Sequence, residues 1–231
     1  VTFEFQHVDI PFDIRETKGI LSKDIKELIK EKLNKDVIKI LDICDKKIVK
    51  TRKLLLVNGN PLRLDTKHSP NVTRLQILAS ESNINIPKVI FVHNKYKVSE
   101  WIEGVLIKNV WDIPEVFEKS GELIGKLNCI KDPINNEFLF NSDFHGSNAV
   151  WTKDKKVYLI DHGKLATSMT IDGVIVKLLL KRIRSKERIN IFLKAYSKYK
   201  NIDNIVRKIE KKNWNWNEIF TLKNNDIPLK Y

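Results

Sequence analysis

The sequence is poor in the features that would take it outside the cell or across a membrane. Only Cys44 and Cys129 carry thiols, and they lie far apart. That excludes a densely cross-linked scaffold and leaves two buried free thiols as the expectation, with one bridge as the alternative. No apolar run approaches the roughly 20 residues that a spanning helix needs. The opening stretch VTFEFQHVDIPFD lacks the basic-then-apolar layout of a signal peptide, so a cytoplasmic location is expected. There is no internal repeat and no low-complexity segment. Acidic residues are also scarce: 29 Asp and Glu stand against 42 Lys and Arg, a formal net charge of +13.

What is present suits a globular chain. A hydrophobic content of 42% over 231 residues can bury a core, as one large domain or two small lobes. The positive charge is localised. Residues 177–212 hold thirteen Lys or Arg against Glu187, Asp203 and Glu210, so this segment alone contributes +10. Such a surface attracts phosphate, whether on a nucleic acid, a phospholipid or a phosphorylated substrate. The alternative is a solvated helix face.

Periodicity changes along the chain. Ser22 to Lys35 read as an amphipathic helix with Ile25, Leu28, Ile29 and Leu33 on one side. Strand-like runs follow at 37–43 and 48–57, then the hairpin turn Asn58-Gly59-Asn60 and a partner strand at 61–66. A helix is expected over 70–81, and a hairpin about Asn94 joins 89–93 to 95–101. Pro114 opens a helix with Val116, Leu123, Ile124 and Leu127 on its apolar face. A loop follows, then strands at 149–152 and 157–160 joined by a turn at 153–156, and after Gly163 the chain reads as helical nearly to its end. The reading is an α+β chain. Residues 1–103 form a β-rich N-lobe with a helical extension at 1–35, and 104–231 form a mainly helical C-lobe.

The stretch FNSDFHGSNAVWTKDKKVYLIDHG carries the chemistry. Phosphoryl transfer asks the protein for a carboxylate beside the attacking hydroxyl and for oxygen ligands that hold Mg²⁺ against the phosphates. Asp143 can be that carboxylate. Asn148, five residues on, can return a side-chain oxygen to the same place. Asp161 follows an apolar strand, so its carboxylate emerges at the strand end beside Asn148. A hard cation suits that pair. Gly163 is read as allowing a sharp turn.

The order Asp-x₄-Asn, hairpin, apolar strand, Asp-x-Gly resembles the protein kinase-like superfamily, and a bilobal kinase-like fold is implied. The likeness is nearest to its small-molecule branch: aminoglycoside and choline kinases, and above all lipopolysaccharide-core sugar kinases, which share the Asp-x-His-x-x-Asn order of SDFHGSN. VSEWIEG (98–104) resembles the hinge, and the resemblance implies that backbone groups of Glu100 and Ile102 meet adenine. INIPKVIFV (84–92), FEKSGELIGKLN (117–128) and LKRIRSKERINIFLKAY (180–196) resemble the lead to the hinge, the helix before the catalytic loop and the late helices. In all, the resemblance spans about Val37 to Tyr196.

What it implies is an ATP- and Mg²⁺-dependent phosphotransferase. Asp143 is the base, Asn148 and Asp161 hold the metal, and His145 orients the loop or substrate, with a packed histidine as the alternative. His162 replaces the Phe of Asp-Phe-Gly and is read as packing. Trp101 is either beside adenine or part of the hinge core, and Asp172 could tie down the catalytic loop. Trp214 and Trp216 are expected to anchor a C-terminal helix.

Several departures stand out. Asn141 replaces the His two residues before the base. No Gly-x-Gly-x-x-Gly covers the phosphates; the corresponding turn is near Cys44-Asp45-Lys46-Lys47. In PLRLDTK the strand cation is Arg63, with Lys67 as runner-up. The helix glutamate that should pair with it is missing, since Asn71 and Gln76 occupy its places. That keeps open a nucleotide-binding pseudokinase. The absence of Ala-Pro-Glu after Asp161 favours a small-molecule or glycolipid hydroxyl, with lipopolysaccharide core as a candidate, over a protein acceptor. The rivals are a compact atypical Ser/Thr kinase of a tRNA-modifying complex and a plain nucleic-acid binder. The basic segment 177–212 would face an anionic substrate or the inner face of a membrane.

Overall fold

The computed structural model describes residues 13–45 and 48–211. They divide into two compact units. One comprises residues up to 73 together with 87–102; the other comprises 74–86 and the residues from 103 onward.

The first unit is a six-stranded antiparallel sheet with one helix packed on it. Its strands are β1 (Asp13–Glu16), β2 (Val37–Asp45), β3 (Ile48–Leu56), β4 (Leu62–Asp65), β5 (Val89–His93) and β6 (Tyr96–Glu100), in the spatial order β1-β2-β3-β4-β6-β5. Helix α1 (Ile20–Leu33) buries Ile25, Leu28 and Ile29, spaced as one face of a helix, and ends at Asn34 in the left-handed region. Ile25 and Ile29 meet Val37, Ile40, Leu54, Leu56, Leu62, Leu64 and Val98 in one apolar cluster. Each such burial contributes about 1.5–3 kcal/mol. The helix expected at 22–35 is thus present as α1; it covers one sheet face, and before it β1 pairs with β2, so residues 13–33 belong to the sheet unit. Residues 13–16 show no period because β1 is only four residues long.

Strand period two puts the alternate residues on the other face. Lys53, Arg63 and Ser99 lie in one row across β3, β4 and β6, and Asp65 and Lys97 are paired in the next. Asp65 also accepts a hydrogen bond from Thr51 Oγ1 at 2.9 Å. Towards α1 the sheet is apolar except for one ion pair, Arg52 with Asp42 at 2.7 Å, and around β4 and β6 its opposite side is polar.

Helix α2 (Pro70–Glu81) begins in the first unit, and its residues from Arg74 belong to the second. In the second unit β7 (Val105–Leu106) leads into a 3-10 turn (Ile107–Val110) and then α3 (Pro114–Leu127). Strands β8 (Phe138–Asn141), β9 (Ala149–Trp151), β10 (Val157–Leu159) and β11 (Leu165–Ser168) form two small sheets, β10-β9-β7 and β11-β8. Sequence reading took β8 for loop and β11 for helix. Each is four residues long, and their pairing, Asn141 opposite Leu165, is what makes them strands.

Helix α4 (Asp172–Leu178) runs into a π-helical turn (Leu179–Ile183), followed by α5 (Lys186–Tyr196) and α6 (Asp203–Glu210). Ser185 caps α5, accepting the Arg188 N–H. Helix α3 packs on α5. Their junction carries a buried polar relay: Tyr196 Oη donates to Asn128 Oδ1 at 3.1 Å, and Asn128 Nδ2 donates to the Leu139 carbonyl at 2.8 Å. Burial pushes the Tyr196 phenol far above its ordinary value. Through Asn128 the helix pair fixes β8, the strand that enters the loop bearing Asp143. Cys129 is a free thiol, as expected, but it is exposed rather than buried. The Cys44 side chain, the turn residues Lys46 and Lys47, Lys212, Trp214 and Trp216 lie outside the described residues.

Candidate active site

Strand β8 ends in Asn141, whose buried amide makes two bonds. Its Oδ1 accepts the Asp143 N–H at 2.8 Å, and its Nδ2 donates to the Asp161 carbonyl at 3.3 Å. One side chain thereby ties the loop to the strand end that bears Asp161.

Asn148 closes the loop from the other side. Its N–H donates to the His145 carbonyl at 2.8 Å, and Nδ2 donates to the Asp143 carbonyl at 2.7 Å and, more distantly, to Asp143 Oδ2 at 3.4 Å. The Asn148 carbonyl accepts two backbone N–H groups, from Ile160 at 2.9 Å and Asp161 at 3.1 Å. Asp143, Asn148 and Asp161 are thus gathered in one place within the second unit. Gly146 lets the loop settle on the 3-10 turn: a Cβ there would stand 2.7 Å from the Lys108 Cβ, and the Lys108 N–H donates to the Gly146 carbonyl at 2.9 Å.

The turn expected at Gly163 is present, closed by the Leu165 N–H donating to the His162 carbonyl at 3.0 Å. The chain turns there without a left-handed φ. Its N–H donates to Asp161 Oδ1 at 3.1 Å, and a Cβ would stand 3.3 Å from that oxygen. Glycine therefore leaves room beside the carboxylate.

His145 accepts the Ser147 N–H on Nδ1 at 3.2 Å, which leaves the ring proton on Nε2, 3.7 Å from Asp143 Oδ2. Burial holds its pKa below the ordinary histidine value, with Asp143 opposing. Arg182, from the π-helical turn, places Nη2 3.0 Å from Asp143 Oδ1. Both partners are substantially exposed, so the pair is worth at most about 1 kcal/mol and an incoming anion can compete for it. Sequence reading saw Arg182 only as one charge in the basic segment; the π turn that aims it left no local signature. His162 is buried, in keeping with packing. Asp172 pairs with Lys208 on α6 at 3.7 Å rather than tying down the catalytic loop.

The donor set can be tested against Mg²⁺. Among the described residues no three His, Cys, Asp or Glu side chains are grouped to hold a metal. The oxygen pair is different in kind. Asp161 is exposed with one oxygen on the Gly163 N–H, and Asn148, with its amide nitrogen on Asp143, turns Oδ1 the other way. Magnesium is commonly held by one or two carboxylates while phosphates and waters complete its shell, so these residues fit it.

In the first unit Arg63 lies on β4 with Nε 3.0 Å from Asp65 Oδ1, while Lys67 is exposed past the strand end. The Glu100 N–H donates to the Lys88 carbonyl at 3.0 Å, and its carboxylate accepts the Lys88 N–H at 3.1 Å. Trp101 carries the Lys53 ammonium 4.7 Å from its ring centroid. Ile102 is the last residue of this unit. Asp65 and Lys97, which sequence reading passed over, are ion-paired at 3.1 Å. Among the described residues no helix is long and apolar enough to cross a membrane.

Comparison with known proteins gives a family and a fold. A model of the ABC1 atypical kinase-like domain matches residues 68–191. No curated protein sequence matches significantly. Among solved structures, a spectinomycin phosphotransferase bound to ADP and spectinomycin superposes with a TM-score of 0.59 at 11% identity, over 87% of this chain and 92% of its own. A choline kinase from Streptococcus pneumoniae gives 0.59 at 12% identity, over 90% and 94%. A type I macrolide 2'-phosphotransferase gives 0.61 at 8% identity, over 86% and 89%. The α+β architecture is therefore that of the kinase-like fold.

Proposed function

Because the chain belongs to the ABC1 atypical kinase-like family, we propose that it is an ATP- and Mg²⁺-dependent phosphotransferase acting on a hydroxyl of a small molecule. The observation that carries this reading is the double use of Asn148. Its side chain holds Asp143 while its carbonyl holds the backbone of Asp161, so a base and a metal ligand share one anchor. The solved neighbours, a spectinomycin phosphotransferase bound to ADP and spectinomycin, a choline kinase and a macrolide 2'-phosphotransferase, support it through the fold they share.

Each residue has a role in this reading. Asp143 accepts the proton of the acceptor hydroxyl and orients it. His145, neutral with its proton on Nε2, steadies the far carboxylate oxygen. Asn148 and Asp161 would hold Mg²⁺, which neutralises charge on the phosphates when bound. Arg63, with Lys67 second, would meet the phosphates, and backbone groups of Glu100 and Ile102 would meet adenine. On this reading residues 1–103 serve the nucleotide and 104–231 serve the metal and the acceptor.

Arg182 bears on the acceptor. A guanidinium 3.0 Å from the base repels a cationic acceptor such as choline or an aminoglycoside and attracts a sugar that already bears phosphate or carboxylate. That favours an anionic sugar of the lipopolysaccharide-core kind, with the basic segment 177–212 turned to the same substrate or to the membrane that holds it.

The test is ATP consumption against a panel of anionic sugars, lipopolysaccharide fragments, aminoglycosides and choline. An anionic sugar should be the substrate, and Asp143→Asn should bind Mg·ATP as the parent does while losing on the order of 10²–10⁴-fold in turnover. Undiminished transfer by Asp143→Asn would remove Asp143 as the base.

A further inference from the structure

The loop that carries Asp143 rests on a cation to which the reading above gives no task. Lys108 lies in the 3-10 turn next to Ile107, whose burial roots the turn in the core. The Lys108 N–H donates to the Gly146 carbonyl at 2.9 Å, and a Cβ on Gly146 would stand 2.9 Å from the Lys108 Cα. Whatever side chain stands at 108 therefore starts from the loop itself. Here it is an exposed lysine, and among the described residues its ammonium has no ion pair or hydrogen bond. Its nearness is felt at His145. Burial disfavours protonation of that ring; of the charges around it, Asp143 and Asp161 favour protonation while Arg182 and Lys108 oppose it.

Arg182 comes to the same loop from another element, and its turn is built to hold it. Arg184 has a left-handed φ of 63°, uncommon for a residue other than glycine. Its N–H donates to the Leu179 carbonyl at 3.0 Å and its Nε to the Lys181 carbonyl at 2.9 Å, so it closes the π-helical turn across Arg182. The result is Arg182 Nη2 at 3.0 Å from Asp143 Oδ1. The other oxygen of Asp143 faces Asn148 Nδ2 at 3.4 Å and His145 Nε2 at 3.7 Å. Both oxygens of the base are thus attended, and Arg182 makes the closest of these contacts. An acceptor hydroxyl approaching Oδ1 competes with it.

We propose that a phosphate or carboxylate on the acceptor is received by Lys108 and Arg182 together, and that Arg182 leaves Asp143 for it, so that the acceptor's own charge frees the base. The assignment rests on the phosphotransferase reading and deepens it. Lys108 supplies the standing half of the receptor, because it has no acid to leave. Arg182 supplies the half that moves, because an exposed ion pair is weak and yields to a better-placed anion. Selectivity for an anionic acceptor then falls on turnover as well as on binding: a neutral sugar enters and finds Asp143 still engaged.

The experiment is ATP hydrolysis by the full chain, titrated with sulfate as the probe anion against chloride at equal ionic strength. Saturating Mg·ATP keeps sulfate out of the nucleotide site. Sulfate should raise the parent's rate by up to about fivefold, the most that release of an exposed ion pair allows. Lys108→Met should need about tenfold more sulfate for half of that rise, as expected when a charged hydrogen-bond donor is lost, and Lys108→Arg should restore the parent's response. Arg182→Met should hydrolyse ATP faster than the parent without sulfate and ignore its addition. Mg·ATP affinity by calorimetry should stay at the parent's value in both methionine variants, whereas a change that merely disturbs the loop would lower it together with the rate. Parent hydrolysis that sulfate does not raise, a Lys108→Met response equal to the parent's, or an Arg182→Met rate no higher than the parent's overturns the assignment and leaves the phosphotransferase reading in place. A parent chain that turns over no ATP overturns both.

Discussion

In the sheet unit the polar groups stand on one face of a ladder, and each is placed by the register of neighbouring strands: Asp65 opposite Lys97, Lys53 opposite Arg63. In the helical unit the polar groups sit on a loop, and each is placed by a side chain or carbonyl at most 20 residues away: Asn141 on Asp143 and Asp161, Asn148 on Asp143 and Asp161. The first arrangement is rigid because the sheet is rigid, whatever its side chains are. The second is rigid only because particular amides are present. Substitutions should therefore act differently in the two units.

The largest effect is expected at Asp161. Asp161→Ala removes the charged metal ligand and should abolish Mg²⁺-dependent nucleotide binding; calorimetry that returned the parent's Mg·ATP affinity would take the metal away from this residue. On the sheet, Arg63→Ala should raise KM for ATP while leaving thermal stability nearly unchanged, and should do so more than Lys67→Ala, which lies past the strand end. The reverse ranking would move the phosphate contact to Lys67.

Asn141→Ala probes the loop's dependence on its ties. It strands the Asp143 N–H and the Asp161 carbonyl, so chemical denaturation should show a loss of about 1–3 kcal/mol together with lowered turnover. A stable, fully active variant would mean that the loop holds itself. The smallest effect belongs to His145. Its folded pKa lies below the unfolded value of about 6.5, so its contribution to stability is present above that pH and is lost as pH falls through the folded value. His145→Gln should therefore narrow its stability gap to the parent as pH is lowered from about 7.5 to 5. Melting curves at several pH values would reveal a constant gap if the ring does not titrate there.

The same contrast explains what could be read from sequence. Asp143, Asn148 and Asp161 were legible because their meeting is set by short spacings and one hairpin. Strands 37–45, 48–56 and 89–93 and helix 70–81 were legible from period and turn chemistry at Asn58-Gly59-Asn60 and Asn94. Asp65 and Lys97 were not, because 32 positions separate them and only the antiparallel register brings them face to face. Arg182 was hidden in a run of similar charges, and its aim depends on a π turn. Strands β8 and β11 escaped because four-residue strands exist only through their partners.

The hairpin between β9 and β10 has one further consequence. Its ladder ends at the pairs Ala149 with Leu159 and Trp151 with Val157, and residues 153–156 beyond it are all exposed. Since the Asn148 carbonyl grips the far end of this ladder, chain length within 143–148 is fixed, whereas chain length at the tip is not. A peptide epitope or a small reporter domain inserted between Asp154 and Lys155 should thus be tolerated, and would give a handle for immobilising the protein without disturbing the loop that carries Asp143.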